Sequence, residues 1–255
     1  MHTETPKNTG RPRLVSDTEI ITILVWNALI LRQKTLKDLY RFACLYHEHD
    51  FTLGSYASFV RNCHEALPAA FELLNVLLCD TAPIRIMDST MLPVCKLHRA
   101  DTYKVAKNLT AFGKNWQGWH YGFKLHASID LDGRLSGLAL TGANVYDAQA
   151  MYKILNEHCR IAVGDTLYGA RVMNRKIRER YGTVIIAPPF PKQNKKIATG
   201  WQMALLDVRS KIETVFDYLK EHMHLVSSFP RSGSGYLVHY VRILLGYQIM
   251  LLLSR

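Results

Sequence analysis

Asp88 ends the apolar run Ile84-Arg85-Ile86-Met87, and Asp165 closes a second such run, Ile161-Ala162-Val163-Gly164. Glu213 stands four residues after Arg209 and seven before Lys220, in a stretch with helical periodicity. Two carboxylates at strand ends and one on a helix can converge on a pair of divalent ions that activate a hydroxyl to attack a phosphodiester. Hard oxygen donors of this kind select Mg²⁺ or Mn²⁺ over softer metals. The helix predicted over Leu205 to Met223 buries Leu205, Val208, Ile212, Val215, Leu219 and Met223. At ~100° per residue, Arg209 lies within ~40° of Glu213 and Lys220 within ~20°. Taken alone, this spacing also describes an ordinary helical ion pair, worth a few tenths of a kcal/mol.

The elements that must position these acids follow from the pattern along the chain. Ser16-Asp17-Thr18-Glu19 is a helix start, with Ser16 as cap and Glu19 three residues on. The apolar stretch Ile20 to Leu31 predicts a buried helix, and Leu36, Leu39, Tyr40 and Ala43 mark a second. Tyr56, Phe59, Val60 and Cys63 mark a third helix, and Phe71 to Leu78 a fourth. This predicts a small helical domain over residues 1–80. Beyond it, Ile84–Val94, Tyr121–Asp130 and Leu135–Leu140 read as strands, the last two joined by a turn containing Asp132-Gly133. A helix from Asp147 to about Glu157, with Asp147 as its cap, precedes the strand that ends at Asp165. A helix over Arg171–Arg180, a strand over Thr183–Ala187 and the Glu213 helix complete a mixed α/β domain over residues 81–255.

Charge divides along the same boundary. Of 32 Lys and Arg against 21 Asp and Glu, residues 1–80 hold 8 basic and 9 acidic, and residues 81–255 hold 24 and 12. The half with the three acids is therefore strongly positive, which suits either a polyanionic substrate or a basic, unspecialised enzyme. Five cysteines without metal-ligand spacing read as buried hydrophobes in a reducing cytoplasm. The apolar segment Tyr236 to Leu253 is interrupted by His239, Arg242, Gly246 and Gln248, so it predicts a buried or partner-facing helix rather than a membrane span.

The stretch Asp207 to Lys220 resembles the C-terminal signature of bacterial insertion-sequence transposases of the DDE type: Tyr, two residues, Arg, three, Glu, six, Lys. Arg209, Glu213 and Lys220 match in type and spacing, with Leu206 at the Tyr position. Met87-Asp88-Ser89-Thr90 and Gly164-Asp165-Thr166-Leu167-Tyr168-Gly169 resemble the segments around the first two acids. With Tyr121 to His126 and Ser16 to Glu19, the whole chain is most similar to the 982-type insertion-sequence family. The resemblance implies a ribonuclease-H-like core with Asp88 and Asp165 on adjacent central strands. It implies two Mg²⁺ or Mn²⁺ ions on Asp88, Asp165 and Glu213, with Arg209 and Lys220 as further catalytic residues that position the phosphate. It also implies cleavage and strand transfer at terminal inverted repeats, target DNA as partner, a homodimeric synapse and a cytoplasmic, nucleoid-associated protein. Leu206 removes a hydroxyl contact to DNA and leaves the metal ligands untouched.

Two other readings stay open: a nuclease of the same core without strand transfer, and an inert DNA-binding repressor. A haloacid-dehalogenase-like phosphatase fits less well, since it wants an Asp two residues after Asp88, where Thr90 stands. Asp217 is a marginal metal-ligand candidate on the neighbouring helix face. For DNA contact, residues 96–124 interleave Lys104, Lys107, Lys114 and Lys124 with Trp116 and Trp119; cations grip phosphates and flat rings stack on bases. Most aromatics of that segment are expected in the core, with Trp116 or Trp119 left for DNA. Leu36–Tyr46 and Ser55–Leu67 could form a helix-turn-helix presenting Arg61, Asn62 and His64. Arg11 and Arg13, in Gly10-Arg11-Pro12-Arg13, read either as a solvated tail or as a minor-groove arm.

Overall fold

The computed structural model describes residues 14–189 and 199–254; Arg11 and Arg13 lie outside them. The first three N-terminal helices start where a hydroxyl satisfies orphan backbone donors. Ser16 and Glu19 form the expected capping box at α1 (Asp17–Trp26), which widens into a π-helical turn over Asn27–Leu31. Thr35 caps α2 (Leu36–Tyr46) and Ser55 caps α3 (Tyr56–Glu65), the anticipated helix pair; α4 (Leu67–Leu77) follows. Ile20, Ile23, Leu39, Phe59 and Cys63 close a core of their own.

The mixed sheet is built on β1 (Ile84–Pro93) and β3 (Gly118–Ile129), antiparallel in the register Ile86↔Ile129 through Pro93↔Gly122. The far edge of β3 pairs along its first half with β2 (Ala111–Asn115) and along its second with β4 (Leu135–Gly142). The β3–β4 turn is the expected hairpin, and Gly133 there has φ 87°, which a side chain would strain. On the other edge of β1, β5 (Ile161–Val163) and β6 (Val184–Ile186) pair parallel. The order β4–β3–β1–β5–β6 is mixed α/β and consistent with a ribonuclease-H-like core. β2 has no sequence signal, because Ala-Phe-Gly-Lys-Asn carries no clear alternation.

Alternate residues of β1 serve opposite faces, as strand geometry requires. Ile86 packs with Leu125, Ala127, Ile212, Val215 and Phe216, whereas Met87 packs with Met151, Ile154, Ala162 and Ile177. The first face is covered by α8 (Ser210–Asp217) and α9 (Gly233–Leu253), the second by α5 (Asp147–Ile154) and α6 (Arg171–Tyr181). The predicted single helix over 205–223 is in fact three pieces. α7 (Gly200–Asp207) ends in a tight turn at Val208–Arg209, where Arg209, Lys211 and Ile212 each bond three residues back, and α8 widens into a π-helical turn over Tyr218–His222.

α9 is long and apolar enough to cross a membrane, yet 67% of its most apolar window is buried in the fold. Its Val238 joins the N-terminal core, and its Gln248 accepts from Leu135 N (2.9 Å) and donates to Leu77 O (2.7 Å). The C-terminal helix thus packs the N-terminal helices and the sheet onto one support.

Candidate active site

Asp88 follows Ile86 by two residues and therefore shares its face, toward α8. The parallel register Ile86↔Val163, carried two residues further, brings Asp165 level with Asp88. Asp165 leaves β5 through Gly164, where any Cβ would stand 2.6 Å from the Tyr168 ring. Its Oδ1 accepts from Leu167 N at 2.9 Å and caps the short 3₁₀ turn Thr166–Gly169. Asp88 Oδ1 accepts from Ser89 N at 2.8 Å.

Burial pushes the Asp88 carboxyl up to about 7; the charges of Asp165 and Asp147 add to this, while the Ser89 N–H and Arg209 oppose it. Asp165 is raised too, again by burial first, then by Asp147, against the Leu167 and Tyr168 N–H groups and Arg209. Each aspartate is thus a carboxylate whose charge its surroundings under-compensate. A hard cation is the partner that would relieve both, so the donor chemistry fits a divalent metal.

Glu213 is placed differently. Its carboxylate is exposed and bonded to Arg209, with Oε1 2.8 Å from Nη1. Among the described residues, no three His, Cys, Asp or Glu side chains are gathered to hold a metal. The structure therefore brings Asp88 and Asp165 together and leaves Glu213 one residue removed, linked through Arg209, whose charge acts on both aspartates. The Lys220 ammonium is lowered by desolvation, partly countered by Asp217, Glu221 and Asp88, so it stands in the field of Asp88. The π-helical turn carries it there, and such turns recur at functional sites. Asp217 is exposed beside Lys220 and belongs to no metal group among the described residues.

The expected DNA contacts divide. Lys104, Lys107 and Lys114 are exposed, Trp116 is 90% and Trp119 56% exposed, and Lys114 Nζ stands 5.8 Å from the Trp119 ring centre. Tyr121 and Phe123 belong to the core. Arg61 is exposed beside Glu65. Two expectations need correction. Asn62 is buried on the inner face of α3 with Phe59 and Cys63, so it cannot reach a groove of DNA. Lys124 is buried as well; its Nζ donates to Val145 O (2.9 Å) and Asp147 Oδ1 (3.2 Å) rather than facing a phosphate.

Asp147 itself is not the helix cap. Tyr146 holds that position, and Asp147, first in α5, turns its buried carboxylate inward. Oδ1 accepts from Ser89 Oγ at 2.7 Å and from Lys124, with His126 Nδ1 3.5 Å away. This cluster lies on the α5 side of β1, directly behind Asp88. The alternation Lys124, His126, Ser128 on one strand is the signal that could have revealed it, since a polar stripe of period two between apolar neighbours marks one face.

The expectation of two aspartates at strand ends holds for Asp165, just past β5, but Asp88 stands in mid-β1, because the strand continues to Pro93; the two are level on adjacent parallel strands, with Arg209 acting on both. Residues 78–232 match the family described as the transposase DDE domain, and the chain belongs to that family. The match spans Asp88, Asp165, Arg209, Glu213 and Lys220. No curated protein matches the chain. Divalent metal ions and DNA are the general cofactor and substrate of this family.

Proposed function

We propose that the protein cleaves DNA at the terminal inverted repeats of an insertion sequence of the 982 type and joins the freed 3′ ends to target DNA. The observation that carries this reading is the level pair Asp88 and Asp165, under-compensated in charge and faced by Arg209 and Lys220. Asp88 and Asp165 would hold two Mg²⁺ or Mn²⁺ ions, with Glu213 as the third ligand. When bound, such ions activate a hydroxyl and neutralise charge on the scissile phosphate. The chain's own part is electrostatic and positional. Arg209 presents a planar guanidinium suited to two phosphate oxygens, and Lys220 a point charge that stabilises the extra negative charge of an in-line displacement. Ser89 N–H and Leu167 N–H fix the two carboxylates before any ligand arrives.

Two element ends must meet for joining, so a dimer is the expected synaptic unit, with residues 1–80 choosing the end sequence. The test is incubation of the protein with end DNA and Mg²⁺, mapping of nicks, and a strand-transfer assay with a labelled 3′-hydroxyl end. Asp165→Asn should abolish nicking and leave binding to end DNA nearly intact. Retention of more than a tenth of wild-type cleavage would remove Asp165 from the site. Nicking by the wild type without joining would instead identify a nuclease.

A further inference from the structure

Two open cavities adjoin one another, one of about 540 Å³ and one of about 320 Å³, and they share Lys34 and Phe229 in their walls. The first runs past Lys96, Trp119 and His120; the second passes Lys37, His64 and Arg231 at the α2–α3 pair. No Asp or Glu lines either cavity among the described residues. Cations dominate the field there: His224 is lowered by desolvation and then by Lys34, Arg32 and Arg242, with Glu221 opposing, and His120 by desolvation and then by Lys220.

The walls are held in place from beneath. Arg32 adopts a left-handed φ of 52°, and the buried Asn27 side chain clasps Gln33, donating to its O at 3.1 Å and accepting from its N at 2.9 Å. Arg242 Nη2 donates to Gln33 O (3.4 Å), Lys34 O (3.3 Å) and His239 Nδ1 (3.2 Å). The opposite nitrogen, His239 Nε2, lies 3.1 Å from His224 O and 3.2 Å from Leu225 O, so it donates there as a neutral ring. A buried Arg–His relay therefore fixes the Lys34 wall against the His224 wall.

We propose that this groove is the track of an unpaired DNA strand, leading from Trp119 and His120 on β3 to the α2–α3 helices. Phosphates would lie on Lys34, Lys96, Lys37 and Arg231, with a base against Trp119 or Phe229, both half-exposed at 56% and 50%. A cationic groove with exposed rings on which bases can stack is the form that single-strand tracks take. The proposal rests on the DNA reading above and adds the form and path of the substrate.

The experiment measures binding of fluorescent single-stranded and duplex oligonucleotides to the full chain across salt concentrations. Lys34→Glu with Arg231→Glu, both exposed and so tolerated by the fold, should weaken single-strand binding at least tenfold. The slope of log affinity against log salt should fall by roughly 1.4, because two phosphates go unneutralised at ~0.7 each. Arg175→Glu, on exposed α6, is the control and should change neither. A double variant with wild-type affinity and slope, in a protein that still nicks end DNA, overturns the groove and leaves the transposase reading standing. A wild type that neither binds nor nicks DNA overturns both.

Discussion

The two faces of β1 carry carboxylates in opposite electrostatic conditions. Behind the strand, Asp147 is buried and one of its oxygens is closely held: Ser89 Oγ stands at 2.7 Å, Lys124 Nζ at 3.2 Å and His126 Nδ1 at 3.5 Å from it. In front, Asp88 and Asp165 receive one or two backbone N–H groups each and repel one another, with Arg209 only partly offsetting their charge. Both sites hold acids and cations, yet one is a closed ion pair and the other is an incomplete one. A buried pair that satisfies itself supports the fold and has nothing left for a ligand. An unbalanced pair is poised for an external cation. The relation is one of support, since Ser89, gripped by Asp147, follows Asp88 in the same strand.

Substitution separates the two roles most strongly. Asp147→Ala leaves the Lys124 ammonium buried without its counter-charge, which should cost about 3–5 kcal/mol and lower the melting temperature by roughly 10 °C. Asp88→Asn should abolish cleavage while leaving melting of the metal-free protein at pH 8 unchanged or raised, because it removes a charge that burial disfavours. Thermal melts of both variants beside a nicking assay check the pair. An Asp88→Asn protein as unstable as Asp147→Ala would erase the distinction between the faces.

The same contrast explains what the sequence makes legible. Asp88 and Asp165 are legible because each closes an apolar run of strand type, although only Asp165 lies past its strand; β1 continues beyond Asp88 to Pro93. The hairpin at Gly133 is legible from turn chemistry, and the cap at Ser16 from the Glu three residues on. The Asp147 cluster is not, since its partners stand 23 and 58 residues away and only the sheet register brings them together. Asn62 misleads by its chemistry. Its spacing from Phe59 and Ala66 already places it on the buried stripe of α3, as a helix of 3.6 residues per turn requires. The turn at Val208–Arg209 and the π-helical turn at Tyr218 have no Gly or Pro to announce them. They reflect tertiary packing of Ile212, Val215 and Leu219 onto the sheet.

Lys220 extends the comparison to cations. Lys124 has its ammonium spent on Val145 O and Asp147, whereas Lys220 is half-buried with no single carboxylate fixing it. Lys220→Ala should lower the cleavage rate about 10²–10³-fold, the size of effect expected from removing one electrostatic stabiliser. The fold should survive, because Leu219 rather than Lys220 supplies the buried contact of that turn. Single-turnover rates with prebound end DNA measure this. A variant at wild-type rate would return Lys220 to the role of a helix-surface cation.

The smallest effect expected is in pH, and it has opposite signs for binding and for stability. Burial raises the Asp88 carboxyl from its ordinary 3.8 to about 7. Below that pH the folded protein holds a proton on Asp88, and a protonated carboxyl does not ligate, so metal affinity should fall about tenfold per pH unit as pH drops from 7 to 5. The metal-free fold responds the other way. A group with a raised folded pKa contributes stability that is fully present below its unfolded value and is lost as pH rises through the folded one. For Asp88 that window runs from about 4 to about 7, so the metal-free protein should gain melting temperature from this group on acidification across it. Asp165, raised in the same direction, adds to the trend. Mn²⁺ titration by calorimetry and melts in chelator, both taken from pH 5 to 8, measure the two arms. Asp88→Asn isolates the contribution of this one carboxyl. A wild-type metal affinity that stays flat from pH 5 to 8 would mean that Asp88 is ionised throughout and that its charge is better balanced than the front face of the strand provides.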